Sequence, residues 1–172
     1  MPIDAQLAAF AQLLPEGAPP WTLTVDGGAG PHLVFAALVH GDEVGPLAAF
    51  TQLAARLRSG QLRFKGRVSL LLGNPEAARL GRRYVEADLN RVFIDDAPDS
   101  LEARRAREMR EVLDSADLFL DFHQVTGPCP HAFWTLPWSH EAALRIRALR
   151  GAPTWVTRAP GQVFATGTCC AR

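Results

Sequence analysis

Mostly apolar runs alternate along the chain with segments whose apolar residues recur at helical spacing. The runs cover residues 33–39, 67–72 and 117–123, and each is bounded by glycine or polar residues. Such runs are typical of strands buried in a largely parallel sheet. Helical periodicity follows Pro46 as far as Ser59-Gly60 and resumes after Ser100, a residue type that caps helices. We therefore predict an α/β fold, a three-layer sandwich with helices on both faces of the sheet.

The N-terminal segment predicts an addition to this parallel core. Residues 4–14 have the spacing of a short amphipathic helix, and residues 21–25 alternate like an antiparallel-type strand. The strand runs into Asp26-Gly27-Gly28, for which we predict a hairpin turn. A phosphate cradle is disfavoured because these glycines lead into a strand and not into a helix. The sheet is predicted to be mixed but mostly parallel, within one domain spanning 1–172, because no linker or repeat divides the chain.

Composition is that of an ordinary globular protein. The 172 residues are 48% hydrophobic and 21% charged, with 18 basic and 18 acidic side chains. This balance gives no indication of nucleic acid or an anionic membrane as a partner. The longest apolar runs fall well short of the roughly 20 residues of a membrane-spanning helix. The first ten residues lack a positively charged leader and the three cysteines form no disulfide framework, so we predict a cytoplasmic protein.

Histidines stand at the ends of two predicted strands. His40 and Glu43 follow the first run in H-x-x-E spacing, and His123 ends the last run. In open α/β sheets, ligands bind at the carboxyl ends of the strands. Two histidines and one glutamate are a ligand set of catalytic zinc, with a fourth position left for water. The alternative is that H-x-x-E occurs here by chance and that each histidine is a hydrogen-bonded turn residue.

A polar stretch at residues 82–93 has no sustained helical or strand period. It contains Arg83, Asp88, Asn90 and Arg91 between large apolar residues. One interpretation is a surface loop with an Asx-turn at Asp88 or Asn90. Another is a binding loop, since an arginine held near an asparagine can grip a carboxylate.

Four motifs, in this order along the chain, closely resemble the succinylglutamate desuccinylase/aspartoacylase family, which belongs to the wider zinc carboxypeptidase group. The resemblance covers about residues 31–172 and implies a zinc carboxypeptidase-like fold. The motifs are His40-Gly41-Asp42-Glu43, Gly73-Asn74-Pro75, Arg83-Tyr84 with Asp88-Leu89-Asn90-Arg91, and Asp121-Phe122-His123-Gln124.

The resemblance implies that His40, Glu43 and His123 bind one catalytic Zn²⁺. It also implies that Asp88 orients the zinc-bound His40 as a hydrogen-bond acceptor outside the ligand set. Zinc lowers the pKa of a bound water to about 7, which suits hydrolysis at neutral pH.

The resemblance likewise implies how a substrate is held. Asn90 and Arg91 would bind a substrate carboxylate, and Arg83 would polarise the scissile amide carbonyl. The expected activity is zinc-dependent hydrolysis of the amide bond of an N-acyl amino acid or a similar carboxylated small molecule. A metallocarboxypeptidase-like peptidase and a non-catalytic zinc- or carboxylate-binding module are the alternatives, and a homo-oligomer is compatible with each.

The chain departs from the family pattern after His123. The family's general base is a glutamate in a short Glu-x-Gly-like strand end, whereas only Glu141 follows His123 here. Glu141 is expected to be a first-turn acid of a helix. We therefore expect a truncated chain, or one that has lost its base, which binds zinc but is at most weakly active alone. We also expect the β-rich C-terminal region of the family to be missing from this chain.

The other reactive or aromatic residues after His123 are expected to have structural roles. Cys129 could be a nucleophile, but it lies between Gly-Pro and Pro-His pairs that shape a loop. Two further histidines are expected to be solvated or hydrogen-bonded rather than metal ligands, and three aromatic residues are expected to line the core or a pocket wall. These are His131 and His140, and Phe133, Trp134 and Trp138.

Overall fold

The computed structural model describes residues 1–125, 127–135 and 154–156. They fall into two compact units, one containing residues 1–124 and the other the described residues from 125 onward. In the second unit, two short strands, β5 (Phe133–Thr135) and β6 (Thr154–Val156), pair in parallel. The single domain predicted for residues 1–172 stays a prediction.

The first unit alternates strands and helices as predicted. Its described elements, in chain order, are α1 (Ile3–Ala11), β1 (Thr22–Asp26), β2 (His32–Ala37), α2 (Leu47–Arg58), β3 (Arg67–Leu72), α3 (Pro75–Arg79), a 3₁₀ turn (Leu89–Arg91), α4 (Leu101–Leu113) and β4 (Leu118–Phe122).

The sheet of the first unit has the strand order β1-β3-β2-β4. Strands β3, β2 and β4 are parallel, and β1 pairs antiparallel with β3. The mixed, mostly parallel sheet is thereby confirmed. The predicted hairpin after β1 is wrong, because β3 lies between β1 and β2. The Gly27 N–H donates to the Gly66 carbonyl at 2.7 Å, so the glycine turn joins the segment before β3 rather than a hairpin partner.

Alternate side chains of the strands enter two separate cores. Leu70 and Leu72 of β3 pack with α1 and α2, whereas Leu71 packs with α4 on the opposite face. Strand side chains point alternately to the two faces, so a buried central strand needs apolar residues at successive positions. This arrangement of helix, sheet and helix confirms the three-layer sandwich.

Two predicted strands differ in extent or burial from the structure. Strand β2 ends at Ala37 rather than at residue 39, because Leu38 has a φ of 55°, outside the extended region. Leu38 and Val39 are nevertheless buried, which explains why the apolar run continues. Strand β4 is half-buried rather than buried, since it lies at the edge of the described sheet.

Helix α3 was not predicted, because its five residues are too few to show a helical period. Asn74 caps it by accepting a hydrogen bond from the Ala77 N–H, and Pro75 occupies the first turn. The Gly73-Asn74-Pro75 motif therefore lies at the start of a helix. No helix in the described part of the chain is long and apolar enough to cross a bilayer.

His32 begins β2, at the opposite end of that strand from His40, and is buried. Its Nε2 lies 2.8 Å from the Ser69 hydroxyl and its Nδ1 lies 3.1 Å from the Ser115 carbonyl. Its backbone N–H donates to the Asp117 carboxylate at 2.7 Å. Burial lowers the pKa of His32, and the nearby Arg67 adds to that shift. The folded protein thus favours a neutral His32.

Because the pKa of His32 is lower in the folded state, the unfolded chain binds its proton first as the pH falls. The stability contributed by neutral His32 is therefore complete above about pH 6.5 and is lost as the pH falls below that value. Urea unfolding of wild type and His32→Gln at a series of pH values should show a stability difference that shrinks on acidification. A difference that is constant or grows in that range would contradict the assignment.

Candidate metal and substrate site

The turn after β2 brings His40 and Glu43 together. The Glu43 N–H donates to the His40 carbonyl at 3.2 Å, and His40 Nδ1 lies 2.9 Å from Glu43 Oε1. Both residues are buried. The H-x-x-E spacing therefore places an imidazole nitrogen and a carboxylate oxygen side by side.

Gly41 allows this turn to pack directly against helix α3. A Cβ atom on Gly41 would lie 2.3 Å from the Ala78 nitrogen and 2.4 Å from the Ala77 carbonyl carbon, both of them backbone atoms. On its other side, the Gly41 N–H donates to the Arg83 carbonyl at 3.0 Å. The turn is thus held between α3 and the segment that carries Arg83.

Gly41→Ala is expected to destabilise the protein by about 1–3 kcal/mol, because backbone atoms must move to accept the methyl group. The displaced turn should also weaken metal binding by His40 and Glu43. Thermal unfolding and a zinc titration test both effects, with Asp42→Ala at the exposed neighbouring position as the control. Wild-type stability and zinc affinity in Gly41→Ala would show that the packing is not restrictive.

Strand β4 delivers His123 to the same place. His123 Nδ1 lies 2.8 Å from Glu43 Oε2, and the His40 and His123 ring centroids are 4.9 Å apart. One nitrogen from each histidine and one Glu43 oxygen all lie within 4.8 Å of one another. The Gln124 N–H donates to Glu43 Oε2 at 2.9 Å and so joins the end of β4 to the turn. The structure thus brings the three predicted ligands together.

The electrostatics of this cluster suit a cation. Burial alone would raise the pKa of Glu43, but hydrogen bonds from His123, His40 and the Gln124 N–H outweigh it and hold that pKa well below its usual range. Burial opposes charge on His123, but Asp121 and Glu43 outweigh that effect and raise its pKa to about 10. The carboxylates therefore stabilise positive charge at His123. Two imidazoles and a carboxylate form a donor set that fits zinc.

Each histidine also contacts a carboxylate through its other ring nitrogen. Asp88 Oδ1 lies 3.3 Å from His40 Nε2, and Asp121 Oδ2 lies 2.7 Å from His123 Nε2. Metal-binding histidines commonly have such partners, which fix the ring orientation. Asp121 was not among the predicted site residues. Its spacing from His123 could have indicated it, because residues two apart on a strand share a face.

Arg83 lies beside the cluster of possible ligands. Its Nη1 is 3.5 Å from Glu43 Oε1 and its Nε is 3.6 Å from Asp88 Oδ2. The side chain is 44% exposed, so the guanidinium faces both the cluster and solvent. A cation in this position can stabilise negative charge that develops on a bound molecule.

Asn90 and Arg91 lie in the 3₁₀ turn that follows Asp88. The Asn90 N–H donates to Asp88 Oδ1 at 2.9 Å, which is the predicted Asx-turn. Asn90 is buried and its Nδ2 lies 3.4 Å from His123 Nε2, whereas Arg91 is exposed. Arg91 Nη1 donates to the Asn90 carbonyl at 3.2 Å. These two residues therefore occupy the loop that also carries Arg83 and Asp88.

The remaining candidate residues lie in the second unit or outside the described residues. In the second unit, Cys129 and His131 are exposed, and the Cys129 thiol donates to the His131 carbonyl at 3.0 Å. Phe133 is exposed and so is not a core residue, and Trp134 is half-buried. The other candidates, Trp138, His140 and Glu141, lie outside the described residues.

The fold defines a class of known proteins, the carboxypeptidase-like α/β fold. It is similar to the crystal structure of succinylglutamate desuccinylase from Vibrio cholerae, with a TM-score of 0.70 and 18% identity, covering 95% of this chain and 58% of that one. It is also similar to a metallo-carboxypeptidase from Burkholderia cenocepacia, with a TM-score of 0.62 and 16% identity, covering 91% and 53% of the two chains.

Sequence comparison identifies the family within this class. Residues 29–167 match the model of the succinylglutamate desuccinylase/aspartoacylase catalytic domain, and the chain belongs to this family. It is 32% identical over 155 residues to succinylglutamate desuccinylase of Pseudomonas syringae pv. tomato, a match that covers 81% of this chain and 46% of the relative. The corresponding enzyme of Pseudomonas paraeruginosa is 35% identical over 120 residues, covering 64% and 36%. The chain thus spans less than half the length of these curated relatives.

Proposed function

We propose that the chain is the metal-binding part of a zinc-dependent hydrolase that cleaves the amide bond of an N-acyl amino acid or a similar carboxylated small molecule. The observation that carries this proposal is the convergence of His40, Glu43 and His123, whose potential ligand atoms lie within 4.8 Å of one another. Three protein ligands of this type are the pattern of catalytic zinc sites, which keep one position open.

Zinc would be held by His40 Nδ1, a Glu43 oxygen and His123 Nδ1, the atoms that face one another in the cluster. When bound, zinc supplies Lewis acidity and a water whose pKa is lowered to about 7. Asp88 holds His40 Nε2 and Asp121 holds His123 Nε2, so both rings present Nδ1 to the cluster. The chain therefore orients both imidazoles through its own carboxylates.

Arg83 is proposed to donate hydrogen bonds to the substrate's amide oxygen as negative charge develops on it. Its guanidinium lies beside Glu43 and is accessible from solvent. Donors that are already in place at the developing charge need no reorganisation during the reaction. Arg83 would thus lower the barrier of amide cleavage rather than only retain the substrate.

Asn90 and Arg91 are proposed to bind a carboxylate of the substrate. Arg91 is exposed and follows Asn90 in the turn, and a fork-shaped guanidinium can donate two parallel hydrogen bonds to a carboxylate. An N-acyl amino acid carries such a carboxylate close to its amide bond. The names of the curated relatives, succinylglutamate desuccinylases, support this substrate class.

A peptidase is the second candidate function, favoured by the similarity in fold to the Burkholderia cenocepacia metallo-carboxypeptidase. Peptides with a free C-terminus also present a carboxylate near an amide bond. The two functions differ in the group on the carbonyl side of that bond, which is a simple acyl group in one case and a peptide in the other.

Zinc binding and substrate choice test the proposal together. The purified chain should bind one zinc ion, measured by elemental analysis and by competition with a chelator. The zinc-loaded protein should then be assayed with N-succinyl, N-acetyl and other N-acyl amino acids and with short peptides. Cleavage confined to the peptides would favour the peptidase. Zinc binding with substrate binding but no turnover in any form of the protein would favour a binding module, and failure to bind zinc would reject the proposal.

A further inference from the structure

Glu102 is a fully buried acid that the proposed chemistry does not use. It lies in the first turn of α4, and its relative exposure is 0%. Acidic residues are almost never fully buried unless their charge is paired or hydrogen-bonded. The partners of Glu102 therefore indicate why a carboxylate is placed there.

Four hydrogen-bond donors converge on the Glu102 carboxylate. Three are consecutive backbone N–H groups, those of Val85 at 2.7 Å, Glu86 at 3.2 Å and Ala87 at 3.0 Å. The fourth is Nδ2 of Asn74 at 2.8 Å. Burial by itself raises the pKa of Glu102, but these hydrogen bonds outweigh it and lower that pKa. Four donors facing one carboxyl group and its lowered pKa both favour the ionised form of Glu102.

The three backbone N–H donors belong to the loop that carries Arg83, the proposed catalytic arginine, and their bonds to Glu102 hold that loop in place. Arg83 lies two residues before the Glu102-bound segment 85–87, and Asp88 follows that segment directly. Arg83 and Asp88 contact each other, and Asp88 also contacts His40. A shift of the 85–87 backbone would therefore move both side chains relative to the cluster.

The remaining donor fixes the helix on the other side of the His40 turn. Asn74 caps α3 by accepting from the Ala77 N–H at 3.1 Å, while its Nδ2 is held by Glu102. Ala77 of that helix packs against Gly41, the residue after His40. Glu102 thus connects loop 85–87 with helix α3, the two segments that flank the His40 turn.

We propose that Glu102 is a positioning residue that holds loop 85–87 and helix α3 so that Arg83, Asp88 and His40 keep their arrangement. The inference about the reaction rests on the proposed function, whereas the inference about the loop rests on the hydrogen bonds alone. The Glu86 carboxylate reinforces the connection, because it accepts a hydrogen bond from the Leu101 N–H at the start of the same helix.

Glu102→Gln is the decisive variant, because it keeps the shape of the side chain and removes the charge. An amide has a single acceptor oxygen, and its NH₂ group would face N–H donors that then lack a partner. Val112→Ala is the matched control, since Glu102 and Val112 lie near opposite ends of α4 and Val112 packs against the apolar core. Val112→Ala destabilises the same helix, because it removes apolar packing.

Two measurements distinguish positioning from general destabilisation, both made where all variants are folded. Backbone amide exchange reports the protection of residues 85–87, and competition with a chelator reports zinc affinity. We expect Glu102→Gln to speed exchange of these amides and to weaken zinc binding by about tenfold, the lower end of the loss caused by removing a direct partner of a metal ligand, because Glu102 acts on His40 only through the loop and α3. Val112→Ala should leave both near the wild-type values.

Unchanged exchange at residues 85–87 in Glu102→Gln would overturn the proposal, and so would equal changes in Val112→Ala. If the wild-type protein bound no zinc, the proposed function would fail, but amide exchange would still decide the role of Glu102. If Glu102→Gln did not fold, Asn74→Ala would replace it, because that change removes one donor to the carboxylate together with the cap of α3 and leaves the carboxylate in place. Faster exchange of 85–87 amides would then support the proposal and unchanged exchange would overturn it.

Discussion

Glu43→Gln is expected to weaken zinc binding by at least about a hundredfold. Removing a residue that only hydrogen-bonds to a metal ligand costs up to about a hundredfold in metal affinity, and loss of a ligand should cost at least as much. Glu43 contacts both His40 and His123, one with each carboxylate oxygen. The substitution removes the negative charge between the two imidazoles and leaves an amide, which is a much poorer zinc ligand. Competition between the protein and a chelator measures the change.

Asp42→Asn provides a closely matched control for Glu43→Gln. Asp42 is the exposed residue directly before Glu43, so the net charge changes equally one position away. An exposed charge contributes little to a site it does not contact, and zinc affinity should stay within about threefold of wild type. Equal losses in the two variants would mean that net charge, and not ligation by Glu43, determines zinc affinity.

The sequence alone predicts where the ligands meet because the relevant rule is geometric. His40 and His123 each follow a strand, and β2 and β4 are neighbouring parallel strands, so their carboxyl ends lie together. The pairing could not be read from either strand alone. The parallel direction of the two strands follows from the alternation of strands and helices, whereas their position as neighbours is seen in the structure.

The loop residues could be predicted only from resemblance to the family. Residues 82–93 have no periodicity, so neither a helix nor a strand assigns a direction to Arg83 or Asp88. Their positions depend on contacts that are distant in sequence, such as the bond from the Gly41 N–H to the Arg83 carbonyl. The periodicity of a single element carries no information about such contacts.

Glu102 and Arg105 show why the polar face of a helix can be misread. Both are charged residues of α4 and would be placed in solvent by composition, yet both are buried. Glu102 accepts from loop N–H groups, whereas Arg105 donates to the carbonyls of Leu72 and Gly73 at the end of β3. Backbone groups at strand ends and loops need partners, and side chains of a neighbouring helix supply them here.

The hairpin error has a similar origin. Asp26-Gly27-Gly28 does form a turn, with the Gly28 N–H donating to Asp26 Oδ1 at 2.7 Å. A turn determines that the chain changes direction, but the partner of a strand is decided by burial over the whole sheet. Strand β3 is more apolar than β1 and takes the central position next to β2.

Arg83→Ala is expected to lower kcat for amide hydrolysis by about a hundredfold or more in an active form of the enzyme, with a smaller change in KM. Loss of one donor to a developing oxyanion typically has an effect of this size. Arg83 suits that role because its guanidinium lies beside Glu43 and Asp88 and remains 44% exposed. Steady-state kinetics with a cleaved N-acyl amino acid measures both constants.

Two other arginines separate this role from simple charge attraction. Arg82→Ala removes the same charge at the exposed neighbouring position and should leave kcat near the wild-type value. Arg91→Ala should chiefly raise KM, because Arg91 is proposed to bind the carboxylate in the ground state and the transition state alike. If Arg83→Ala raised KM and left kcat unchanged, as expected for a residue that only binds substrate, the proposed role of Arg83 in the reaction would be wrong. A fall in kcat confined to Arg83→Ala requires a contact that strengthens as the amide oxygen becomes negative, because uniform binding does not alter kcat.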